Sequence, residues 1–170
     1  TTAAFTNSMN SFSKKWNLGV GKAVQWPTGV GAKGNAGIAG VIRNTVGSIG
    51  YLNQSYIKNE LKAAPLQNKW GDFVEPSVEA GAKALNGIDL DENLAGINPN
   101  PTAEGAYPIA TLTWILAYET GNGRNTEAIK TTLSTLLSDE YQDKAPKLGF
   151  VPLKGDILEK ARTAVDKIGK

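Results

Sequence analysis

Within seventeen residues, Val24-Gln25-Trp26-Pro27-Thr28-Gly29-Val30-Gly31-Ala32-Lys33-Gly34-Asn35-Ala36-Gly37-Ile38-Ala39-Gly40, the chain passes from a strand-like run through a glycine-rich loop into a helix. Lys22 to Trp26 alternates weakly and stops at Pro27, which predicts a short strand. Ile38, Ala39, Val41 and Ile42 then recur at helical spacing, with Asn35 placed to cap the helix they belong to. Strand, loop and helix in that order is the unit from which α/β folds are assembled.

The glycines invite a test for phosphate chemistry. A nucleotide-binding P-loop needs Gly-Lys followed by Ser or Thr, so that the hydroxyl reaches magnesium. Here Lys33 precedes Gly34, and Gly21-Lys22 is followed by Ala23. Gly29, Gly31 and Gly34 meet the literal spacing of a dinucleotide fingerprint, but the acid expected about 20 residues later is missing, since the first acid in the chain is Glu60. The passage therefore reads as a structural turn, and no cofactor is expected.

Outward from it the pattern alternates. Phe5, Met9, Phe12 and Trp16 recur at spacings of four, three and four, which predicts a helix over Thr2 to Trp16. Gly47 to Leu52 reads as a turn into a strand, and Ala63 to Pro76 as a small hairpin. Ser77 can cap a helix bearing Val78, Ala82 and Leu85. Ile109 to Tyr118 is nearly continuous apolar and β-branched sequence, predicting a strand buried on both faces. Thr126 can cap a helix carrying Ile129, Leu133, Leu136 and Leu137. Asp156 with Glu159 approximates a capping box for a last helix. The fold class is α/β.

The chain has 170 residues, no Cys and no His. That excludes Cys/His zinc sites, disulfides, thiol catalysis and histidine-assisted nucleophiles. Ser48, between Gly47 and Gly50, has no histidine to activate it, and Asp89, Asp91 and Glu92 lack metal-ligand spacing and read as a solvated turn. No metal site and no catalytic residue is expected. Net charge is +2, too mild for a nucleic-acid partner, yet Thr1 to Asn59 carries six basic residues and no acid while the remainder sums to −4. The acid-free segment opens on Thr1-Thr2 at a helix start, where unsatisfied N–H groups, a positive dipole end and two hydroxyls suit an anion. The competing role for Thr1 or Thr2 is simply to cap the helix.

Four further stretches carry a resemblance: TTAAFT at Thr1 to Thr6, GSIGYL at Gly47 to Leu52, YPIATLTWIL at Tyr107 to Leu116, and LGFVPL at Leu148 to Leu153. Together with Val24 to Gly40, and in this order, they closely resemble the phosphate-binding protein of phosphate ABC transporters. The resemblance implies a type II periplasmic-binding-protein fold in an incomplete two-lobe form. Residues 1–112 would be most of the second lobe, and residues 113–170 would cross back to complete the first. It implies a C-terminal part of a longer, monomeric protein outside the cytoplasmic membrane, periplasmic or at the cell-envelope surface. That protein would capture inorganic phosphate and pass it to permease subunits of the inner membrane, without enzymatic activity. Thr1 matches the Thr of the family's Ser-Gly-Thr phosphate-binding triplet, and Thr2 shares its helical turn. The alternatives are a binder of another tetrahedral oxyanion such as sulfate, or a phosphatase-like enzyme on the same scaffold.

Overall fold

The computed structural model describes residues 1–169. Among the described residues six α-helices follow one another: α1 (Thr2–Phe12), α2 (Gly34–Asn44), α3 (Val78–Leu85), α4 (Thr126–Leu136), α5 (Asp139–Gln142) and α6 (Gly155–Asp166). Between α2 and α3 lies an antiparallel hairpin of β1 (Leu66–Gln67) and β2 (Phe73–Val74), in the register Leu66 to Val74 and Gln67 to Phe73. This is the only regular sheet among the described residues. The chain divides into two compact units, one comprising Thr1–Ile88 and Asn98–Thr111, the other Asp89–Ile97 and the residues from Leu112 onward.

In the first unit, α1 is anchored through its polar side chains as much as its apolar ones. Thr6 is fully buried; its hydroxyl accepts the Gly21 N–H at 3.1 Å and lies 3.2 Å from the Gly21 carbonyl. Ser8, also buried, donates to the Pro108 carbonyl. A buried hydroxyl without partners would cost about 1 to 3 kcal/mol, so these bonds fix where the loop and the later segment cross the helix. On another side of α1, Phe5, Trp16, Trp26 and Tyr51 form one aromatic cluster with centroid separations of 4.3 to 6.3 Å. A smaller core of alanine and leucine surrounds α3, where Ala80, Ala84, Leu85, Ile88 and Ala106 are buried. Ser77 caps α3 by accepting the Ala80 N–H at 3.0 Å, and the Tyr107 N–H bonds to the Ala80 carbonyl.

In the second unit α4 packs on α6, burying Leu158, Val165 and Ile168. The ends are fastened by Arg162, which donates from Nε and Nη2 to the Leu137 carbonyl at the end of α4 and also grips Asp139 and Glu159. The guanidinium is held charged more firmly than usual, chiefly by its hydrogen bond to Asp139.

The structure corrects several of the sequence expectations. Lys22 to Trp26 and Ile109 to Tyr118 form no strand, and the segment after Gly47 enters a short 3₁₀ turn at Gln54–Tyr56 instead of a strand. The apolar run expected to be buried on both faces is largely exposed, with Ile115 at 63% and Leu116 at 95% of full exposure. A strand requires a ladder of backbone hydrogen bonds, and the only ladder among the described residues joins β1 to β2. Helix α1 stops at Phe12, so Trp16 joins the aromatic cluster from beyond it. Asp156 and Glu159 pair with Lys160 and Arg162 rather than forming a capping box, and Thr126 bonds the Gly123 carbonyl from inside α4.

Candidate functional site

Thr1 is the N-cap residue of α1, but its side chain makes no capping hydrogen bond. The hydroxyl instead donates to Asn35 Oδ1 at 3.4 Å, so the simple capping role is not the one it plays. Thr2, in the first turn, shares a 3.0 Å hydrogen bond with the Tyr51 hydroxyl. The first-turn N–H groups of a helix have no partner within the helix and sit at its positive dipole end. No acidic residue occupies the first turn of α1.

Asn35 brings a second helix to the same place. It is the second residue of α2 rather than its cap, which is Lys33, and Gly34 before it takes φ +65°, a left-handed conformation suited to glycine. The first turn of α2 is also free of acids. Asn35 Oδ1 accepts the Asn53 N–H at 3.0 Å. Asn53 in turn accepts from the Ser55 N–H and hydroxyl, which stiffens the turn that follows Tyr51. The starts of α1 and α2 are therefore joined through Thr1 and Asn35, with two hydroxyls and two positive helix ends close together.

Both sequence candidates, Thr1 and Thr2, fall at this point. Sequence reasoning did not foresee their partners Asn35 and Tyr51, because separations of 34 and 49 residues carry no periodic signal. The other candidates fall elsewhere. Ser48 uses its hydroxyl to close the turn after α2, donating to the Thr45 carbonyl at 2.7 Å. Asp91 accepts the Asn93 and Ala95 N–H groups within an exposed loop, as a solvated turn should. An open depression of about 280 Å³ lined by Ile42, Arg43, Glu60 and Lys62 lies at the far end of α2. An 11-residue helix is about 16 Å long, so this depression is no part of the Thr1 site. Among the described residues no cluster of His, Cys, Asp or Glu could hold a metal ion.

Comparison with known proteins adds the decisive observation. Phosphate-binding protein PstS of Haemophilus influenzae is 36% identical over 93% of this chain, that of Methanocaldococcus jannaschii 33% over 99%, and that of Xylella fastidiosa strain Temecula1 35% over 94%. By sequence the chain is similar to the PstS phosphate-binding proteins over nearly its whole length. No family model matches. The chain spans about half the length of these PstS relatives, 45 to 49% of each.

Proposed function

We propose that this chain is the second-lobe portion, with a crossing segment, of an extracytoplasmic solute-binding protein that captures inorganic phosphate and delivers it to an ABC permease. The observation that carries the reading is the Thr1 hydroxyl, left out of helix capping at the head of an acid-free helix, in a chain similar to phosphate-binding proteins over nearly its whole length. Hydroxyls and first-turn N–H groups from Thr1 and Thr2 replace part of the water around the dianion, and the helix dipoles offset its charge. Residues outside these 170 supply the remaining ligands. The reading requires no catalytic step.

On the same reading, residues 1–112 belong to the second lobe of a type II periplasmic-binding-protein fold and residues 113–170 cross to the first. The exposed apolar faces of Ile115 and Leu116 support this, because they suit a strand inserted into a sheet built from both parts. The protein acts as a monomer at the periplasmic or cell-envelope side of the membrane, with permease subunits as its partners. No helix among the described residues is long and apolar enough to cross a membrane.

Calorimetry on the complete two-lobed protein tests the proposal. Phosphate should bind and sulfate should not. Equal binding of sulfate would move the assignment to a general tetrahedral-oxyanion binder, and release of phosphate from an aryl phosphate ester would move it to an enzyme.

A further inference from the structure

We infer that Asn68 and Asn100 hold a buried water molecule between the β1–β2 hairpin and residues 98–102, a hydration site that fastens the hairpin within the first unit. The inference is independent of the phosphate reading.

Asn68 is only 6% exposed and sits in the hairpin turn with nearly every polar group paired. Its N–H donates to the Asp72 carbonyl at 2.9 Å, and its carbonyl accepts the Gly71 N–H at 3.1 Å. Its Oδ1 accepts the Trp70 and Asp72 N–H groups at 2.9 and 3.0 Å. Those two donors fix the amide's orientation, because exchanging its oxygen and nitrogen would set an NH2 group against two N–H groups. Only Nδ2 is left over, and it is shielded from solvent without a hydrogen-bond partner.

The one other side-chain atom in that condition among the described residues is an acceptor, Asn100 Oδ1. The two segments that carry these atoms already touch, since Trp70 Nε1 donates to the Thr102 carbonyl at 3.0 Å. Asn68 lies two residues before Trp70 and Asn100 two before Thr102, each no more than about 7 Å of chain from a residue of that bond. Asn98 Nδ2 fastens the other end of the segment to the Ala84 carbonyl at 3.2 Å. Pro99 and Pro101 restrict the backbone between the two anchors, so Asn100 is held beside the hairpin turn by both ends of a stiff segment.

Buried polar groups in native proteins are satisfied by a direct bond or by an internal water. The two atoms make no bond to each other. Both are already shielded, so a chain packing on the outside cannot supply the partner. A water molecule accepts and donates at once, and therefore answers the Asn68 donor and the Asn100 acceptor together.

A high-resolution crystal structure of the complete protein tests this directly. An ordered water should lie within about 3.2 Å of both Asn68 Nδ2 and Asn100 Oδ1. A direct bond between the two side chains, or no ordered water on them, overturns the inference. Thermal melting gives a second readout. Asn100→Leu is apolar and close in size, so melting would hold or rise if Asn100 only filled space. Loss of the water would strand the Asn68 donor, and the melting temperature should instead fall by a few degrees. In an Asn68→Ala background that penalty should shrink towards zero, because the donor is gone. A full penalty in both backgrounds, or none in the parent, overturns the inference. Should Asn68→Ala fail to fold, the crystal structure and Asn100→Leu alone decide it.

Discussion

Tyr51 lies flat on Phe5, with ring centroids 4.3 Å apart and planes 11° from parallel, while its hydroxyl bonds the Thr2 side chain at 3.0 Å. One residue thus braces α1 by an apolar face and a polar tip. The stack fixes the helix against the turn before Asn53, and the hydroxyl fixes the first helical turn, where the anion is proposed to bind. Tyr51→Phe keeps the stack and removes only the bond, so thermal or urea unfolding should show a loss of about 0.5 to 1.5 kcal/mol. Tyr51→Ala removes both and should cost clearly more. Equal losses in the two variants would assign the bracing wholly to the hydroxyl.

On the proposed reading, Thr1→Ala in the complete protein deletes a donor to a charged ligand and should weaken phosphate binding by about 1 to 3 kcal/mol. Melting of the phosphate-free protein should hardly change, because Thr1 is exposed and makes no capping bond that could be lost. Calorimetry with and without the substitution checks the first statement, and differential scanning without phosphate checks the second. A large drop in the melting temperature of the phosphate-free variant would return Thr1 to the role of a helix cap.

The sequence disclosed what depends on neighbours along the chain and missed what depends on distant ones. Ser77 before a periodic run announced α3 and its cap, and turn residues between Leu66 and Val74 announced the hairpin, since both are local signals. The run Ile109 to Tyr118 has the composition of a central strand, but composition cannot supply the ladder that a strand needs, and in this structure the run forms no strand and is largely exposed. Thr1 and Thr2 were legible as an acid-free helix start bearing two hydroxyls, because those features lie in one turn. Asn35, Tyr51 and Arg162 were not, because each acts across 23 or more residues on groups unrelated to it by periodicity.

Arg162 illustrates the last case. It joins the α4 terminus, Asp139 and Glu159 at once, whereas Lys160 on the same helix bonds only Asp156, one turn away. Isolated exposed pairs contribute little, while a cation shared among several partners, including a helix C-terminal carbonyl, contributes more. Arg162→Ala should therefore lower the melting temperature of the chain by more than Lys160→Ala does. Arg162→Lys should fall between them, because a point charge cannot reproduce the fork. Equal melting of Arg162→Ala and Lys160→Ala would refute the shared-anchor role.

Acid should loosen α5 through Glu140. Its carboxyl is held below its usual range first by the hydrogen bond from Lys144 and then by that lysine's charge, at an N–O distance of 2.6 Å. A carboxyl depressed in the folded state contributes stability that is present above its ordinary pKa and lost as pH falls through the lowered one. The melting temperature of Glu140→Gln should therefore approach that of the parent as pH is lowered from roughly 6 to 3, with the gap largest at the neutral end. The gap will be small, because both side chains are exposed. A gap that widens on acidification would contradict the assigned direction.

Leu116 offers a way to separate the chain as it stands from the chain in a complete protein. At 95% exposure it packs on nothing here, so Leu116→Lys should leave the melting of the isolated 170 residues unchanged. It should also reduce their self-association, since an exposed apolar segment invites pairing with another chain and a lysine opposes it. If residues 113–170 cross into a sheet in the two-lobed protein, the same substitution buries an ammonium group in place of a leucine, at a cost of about 3 kcal/mol or more. The isolated chain should likewise bind phosphate much more weakly than the complete protein, having only part of the ligand set. Melting both forms with and without the substitution, alongside phosphate titrations, decides the matter. An equally small effect of Leu116→Lys in the two forms would mean that this run is no inserted strand, and micromolar phosphate binding by the isolated chain would mean that its own residues suffice for the site.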